Sequence, residues 1–129
     1  MDVILSPASD TPIYAQIAEQ VAAQILRGDL AGGATLPPIR TVARQLEVSV
    51  ITIKKAWEEL ERAGFIYAQV GKGSFVADHP PAALTDKRTS LALSRLGKDL
   101  PYYQELGLTW PEYAELAATV YQAGAPDRA

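Results

Sequence analysis

Arg40, Arg44, Lys54 and Lys55 fall in one stretch whose only acid is Glu47, and the acids Glu58, Glu59 and Glu61 come just after it. Guanidinium and ammonium groups gathered in this way suit the phosphates of a nucleic acid. Screening confines such an attraction to about 10 Å at 0.1 M salt, so a local cluster can act although the formal net charge of the chain is −3. A solvated mixed-charge surface would use the same residues. Catalysis finds no support: no nucleophile stands beside a base, no paired-carboxylate motif is present, and Gly71-Lys72-Gly73 lacks the residues of a Walker motif. With no cysteine and one histidine, His79, there is no disulfide framework, no thiolate metal site and almost nothing for zinc. No metal, cofactor or enzymatic activity is expected.

The elements that must position these cations follow from periodicity. Thr11-Pro12 opens a helix, with Thr11 as the capping residue, and Ile13, Ile17, Val21 and Ile25 give it one apolar stripe that stops before Gly28. Val3-Ile4-Leu5 suggests a short strand ahead of it. Leu36-Pro37-Pro38 leads into a second, short helix with Val42, Ala43 and Leu46 inward. A tight turn at Glu47-Val48 precedes Ser49, a natural N-cap. A third helix then runs from about Val50 to Ala63 with Ile53, Trp57 and Leu60 inward, and Gly64 ends it. Two helices so closely joined make a helix-turn-helix. Phe65–Gln69 and Ser74–Ala77 then read as strands of a hairpin whose tip is Val70-Gly71-Lys72-Gly73. The order of elements is that of a winged helix, mainly α with a small β-hairpin.

His79-Pro80-Pro81 marks the expected boundary between a head of residues 1–79 and a tail of residues 80–129. In the tail Leu93, Leu96, Leu100, Tyr103 and Leu106 form one amphipathic helix, with a kink or break expected near Asp99-Leu100 because Pro101 removes a backbone bond. Thr109 and Glu112 are spaced as a capping box for a last helix, on which Tyr113, Leu116, Ala117, Val120 and Tyr121 share a face. Ala125 to Ala129 should fray. Two such helices cannot bury both stripes against each other, so Leu93, Leu96, Leu100, Tyr103, Leu106, Tyr113, Leu116 and Val120 are the expected dimerisation residues. Tyr102, Tyr103, Trp110, Tyr113 and Tyr121 could also line a small effector pocket, interface core being the alternative.

The bulk numbers fit this division. A chain of 129 residues, 48% hydrophobic and 21% charged, has room for one domain or a small head with an appendage, and not for a large two-domain enzyme. The start, Met1-Asp2-Val3-Ile4-Leu5-Ser6-Pro7, lacks the basic residues and long apolar run of a secretory signal, and no stretch reaches membrane-spanning length, so a cytoplasmic protein without a membrane partner is expected.

Pro12-Ile13-Tyr14-Ala15-Gln16-Ile17, Gly28-Asp29-Leu30, Gly33, Leu36-Pro37-Pro38-Ile39-Arg40, Ala43, Leu46-Glu47-Val48-Ser49, Thr52-Ile53, Gly64-Phe65-Ile66-Tyr67 and Gly71-Lys72-Gly73-Ser74-Phe75-Val76, taken in order, resemble the GntR family of bacterial regulators. The short tail, with Leu106-Gly107-Leu108-Thr109 joining two helices, resembles the YtrA type. The resemblance implies a homodimer on a palindromic operator in double-stranded DNA, usually repressing a nearby transporter operon, with a small-molecule effector possible.

Carried over residue by residue, Arg40 falls where the family has an arginine that contacts DNA, with a surface arginine as the plain alternative. Ser49 and Thr52 begin the recognition helix, where hydroxyls and free amides can hold a phosphate or simply cap the helix. Val50 and Ile51 depart from the pattern: many members have an arginine and a polar residue there, suited to guanine, so a methyl contact to thymine is the available substitute. Lys54 is expected on the groove side, Lys55 nearer the backbone, and Lys72 between Gly71 and Gly73 at the wing tip, reaching phosphate or minor groove. Glu47 stands where glycine is common, at a cost of about 1 kcal/mol if the backbone is left-handed. The acidic net charge and the aliphatic pair leave a second reading, a winged-helix protein-interaction module with little DNA binding.

Overall fold

The computed structural model describes residues 1–124, and the expected fraying of Ala125 to Ala129 lies outside the described residues. Helices α1 (Ile13–Arg27), α2 (Ile39–Leu46) and α3 (Val50–Arg62) are followed by an antiparallel hairpin of β1 (Ile66–Gln69) and β2 (Gly73–Val76), then by α4 (Pro81–Glu105) and α5 (Trp110–Ala123). The chain separates into two compact units, Met1–Lys87 and the part from Arg88 onward. The fold is that of a winged helix carrying a helical tail.

In the first unit the apolar stripe of α1 does what its spacing demands: Ile17, Val21 and Ile25 are buried, against Ile53, Ala56, Trp57 and Leu60 of α3 and Val42 and Ala43 of α2. Phe65, Ile66 and Val76 close the core from the hairpin side. Each of the larger aliphatic side chains contributes about 1.5–3 kcal/mol by leaving water. The hairpin pairs Ile66 with Val76 and Gln69 with Gly73. Its other edge is covered by the loop before α2: Thr35 bridges Phe75, Leu36 N–H donates to Ser74 O at 2.9 Å, and Val76 N–H donates to Ala34 O at 2.8 Å. This third ribbon was not visible in the sequence, where Gly32-Gly33 reads only as a break.

The start of α1 differs from expectation in two ways. Helical geometry begins at Ile13, so the cap position falls on Pro12, which has no side-chain acceptor, and Thr11 makes no side-chain cap. Val3-Ile4-Leu5 is extended but is not a strand. A ladder of glutamines holds it instead. Gln16 pairs with both backbone groups of Ser6 (Oε1 accepting at 2.8 Å, Nε2 donating at 3.0 Å), Gln20 does the same with Ile4 (2.9 and 2.6 Å), and Gln24 Nε2 donates to Asp2 O at 2.6 Å. Four residues of helix rise about 6 Å and two residues of extended chain about 6.6 Å, so every fourth side chain meets every second peptide. Gln16 also donates to Thr11 O at 2.8 Å, taking over the junction that Thr11 does not cap.

In the second unit no residue of α4 or α5 is fully buried. Tyr103 packs against Tyr102 and Tyr113, with ring centroids 5.3 and 5.2 Å apart, and Trp110 lies 6.1 Å from Tyr113. The Thr109–Glu112 capping box is present, with Thr109 N–H donating to Glu112 Oε1 at 2.9 Å. Of the kink or break expected near Asp99-Leu100, the break does not occur, since α4 runs through Pro101 to Glu105. The carbonyl that loses its partner, four residues back, belongs to Gly97, which is exposed; water can satisfy it, and the bonds on either side keep the helix continuous.

Candidate nucleic-acid interface

The turn between α2 and α3 determines how the third helix is presented. Glu47 caps α2 with φ 57° and ψ 43°, the only non-glycine residue at positive φ among the described residues. That conformation lets Val48 N–H reach back to Ala43 O at 3.0 Å, so α3 starts two residues later. Ser49 is its N-cap: Oγ accepts from Thr52 N–H at 3.1 Å and lies 2.8 Å from Thr52 Oγ1. The two hydroxyls are thus engaged with each other and with the helix, which is the capping role.

The next two residues face outward. Val50 is 44% exposed and Ile51 77%, while Ile53, in the same helix, is fully buried. One turn further on Lys54 is exposed, and Lys55 turns its ammonium over the Tyr14 ring, 4.1 Å from the centroid. Arg40 is exposed in the first turn of α2. Arg40, Arg44, Lys54 and Lys72 stand free of ion pairs, whereas Arg27 and Arg62 are held by Asp29 and Glu59. With Lys55, whose ring contact neutralises no charge, the two helices and the hairpin carry five cations without a carboxylate partner on an acidic chain.

The hairpin tip is a turn closed by Lys72 N–H donating to Gln69 O at 3.0 Å. Gly71 sits third in it with φ 77°, and Gly73 follows at φ 103°, conformations that a side chain would strain. Lys72 is exposed between them. Sequence reasoning did not single out its neighbour Val70, which is fully exposed, or the stacking of Tyr67 on Phe75 at 5.5 Å that stiffens the wing. A valine next to a glycine turn gives no signal distinct from ordinary strand residues.

The far end of α3 is clamped. Lys87 Nζ donates to Ala63 O at 2.7 Å and lies 5.1 Å from the Phe65 ring centroid, and His79 Nε2 donates to Gly64 O at 2.6 Å. These cover the carbonyls that a helix leaves unpaired at its end. No group of three or more metal-ligating side chains occurs among the described residues.

Residues 13–76 match the family described as bacterial regulatory proteins, gntR family. An uncharacterized HTH-type transcriptional regulator, YhcF of Bacillus subtilis (strain 168), is 36% identical over 90% of this chain and 95% of its own length. The HTH-type transcriptional repressor YtrA of the same organism is 32% identical over 71% of each chain. Among solved structures, a GntR family transcriptional regulator from Listeria monocytogenes superposes with a TM-score of 0.74 at 25% identity, covering 87% of this chain and 97% of that one. The DNA-binding domain of AraR in complex with operator ORX1 gives a TM-score of 0.52 at 32% identity, over 58% of this chain and 93% of that one. By the match over residues 13–76, the likeness to YhcF and YtrA and the order of its elements, the chain belongs to the gntR family of bacterial regulatory proteins.

Proposed function

We propose that the protein acts as a homodimer that grips a palindromic operator and represses the genes it controls. As a gntR-family member it is a DNA-binding transcriptional regulator and not an enzyme. The observation that carries the DNA-binding surface is the set of cations free of ion pairs, Arg40, Lys54 and Lys72, on α2, α3 and the wing in turn. In this reading Arg40, Lys54 and Lys72 contact phosphates, with Lys55 at the edge. Ser49 and Thr52 order the first turn of α3 so that it can meet a phosphate, Val50, Ile51 and Lys54 face bases, and Gly71 and Gly73 let the wing backbone come close. The AraR domain was solved on an operator, which supports the same use of this fold here.

The tail supports pairing. Leu93, Leu96, Leu106, Leu116 and Val120 are all more than half exposed, and Leu100, Tyr103 and Tyr113 are half-buried. An open groove of about 310 Å3 is lined by Tyr103, Leu108, Tyr113, Leu116, Ala117, Val120 and Tyr121. So much uncovered apolar side chain is rare in monomers. The proposed occupant of this face is the tail of a second copy, with residues 1–79 acting as the head and 80–129 as the dimerisation tail. No helix of the described residues is long and apolar enough to cross a membrane, and a regulator of DNA would work in the cytoplasm.

Sedimentation of the purified protein, combined with mobility shifts on the DNA upstream of its own gene at rising salt, tests this. A dimer whose affinity falls steeply with salt is expected. A single protomer, or binding indifferent to salt, would refute it, and release of DNA by an added metabolite would assign the groove to an effector instead.

A further inference from the structure

Val50 and Ile51 are both β-branched, sit in the first turn of α3, 44% and 77% exposed, and neither belongs to the buried core. The hydroxyls on either side, Ser49 and Thr52, are 2.8 Å apart and bound to each other. The outward face of that first turn therefore offers hydrocarbon, with the exposed Lys54 one turn on. In the major groove guanine presents acceptors, adenine an acceptor and a donor, cytosine a donor and thymine an acceptor, and only thymine adds a methyl group. An aliphatic pair matches the last alone.

We propose that Val50 and Ile51 read thymine methyl groups, so that the half-site carries thymine where these two side chains meet the bases. The inference rests on the DNA-binding reading above and goes beyond it in naming the base and the atoms recognised. Burial of one methyl group between hydrocarbon surfaces corresponds to a roughly three- to five-fold change in affinity.

The probe is a duplex selected from a random-sequence pool by the full chain, made once with thymine and once with deoxyuridine at each selected thymine. Wild type should bind the uracil duplex at least about three-fold more weakly per affected half-site. The Val50→Ala/Ile51→Ala double variant should bind the two duplexes alike, and Ile51→Ala alone should show an intermediate ratio. Because neither side chain belongs to the buried core, these variants should stay folded, as thermal unfolding checks. Equal wild-type affinity for both duplexes, with a steep salt dependence retained, overturns this inference and leaves the DNA-binding reading standing. A thymine preference that survives in the double variant also overturns it. Failure to retain any duplex at low salt overturns both.

Discussion

The ammonium of Lys55 lies over the ring of Tyr14, 4.1 Å from its centroid, so the two adjacent lysines of the recognition helix have different employment. Lys55 ties α3 to α1, while Lys54 has no ion pair.

Lys54→Ala should therefore weaken operator binding and lower the slope of log affinity against log salt by about one. Lys55→Ala should change that slope much less and instead cost about 0.5–1 kcal/mol of stability, the range for an exposed cation over an aromatic ring. Fluorescence anisotropy at several salt concentrations and thermal unfolding separate the two effects.

Arg40→Ala should reduce operator affinity by at least about 1 kcal/mol without lowering the melting temperature, because the side chain is exposed and carries no part of the core. Titration by mobility shift on the same duplex checks this, and unchanged affinity would remove Arg40 from the interface.

Glu47→Gly should raise stability by up to about 1 kcal/mol, since glycine adopts φ 57° without the crowding that a Cβ brings. It also removes the one acid between Arg40 and Lys55, so DNA binding should strengthen. Chemical denaturation and anisotropy read the two consequences.

Gln20→Ala removes both rungs of the ladder at Ile4 and should free the amino-terminal arm. A net loss of about 1 kcal/mol is expected for exposed bonds of this kind, together with faster amide exchange over residues 2–6. An arm as protected as in wild type would show that Gln16 and Gln24 hold it unaided.

Hydrogen bonds from the backbone and hydroxyl of Thr109 hold the Glu112 carboxyl below the ordinary carboxylate range. A carboxylate favoured by the folded state stabilises it at pH values above its unfolded pKa, and this contribution disappears as pH falls through the depressed folded value. The first turn of α5 should thus persist through mild acid and loosen below the usual glutamate range. Thr109→Ala should weaken that pH dependence without abolishing it, because the backbone N–H of residue 109 still donates to Glu112, as followed by the NMR shifts of Trp110 and Tyr113.

What the sequence determined by itself was everything set by local spacing. The four-residue repeat of Ile13, Ile17, Val21 and Ile25, the Ser49 cap, the glycines of the wing and the Thr109–Glu112 box each act within a turn or two of chain, so their residue types suffice to reveal them. The tertiary structure decided what depends on partners distant in sequence. Residues 33–36 cover the hairpin edge, Gln16, Gln20 and Gln24 zip down the arm, Lys55 is claimed by Tyr14, and Lys87 caps α3 from twenty-four residues away. A polar side chain bonds whichever backbone the fold brings within 3 Å, and that is fixed only once the core has packed.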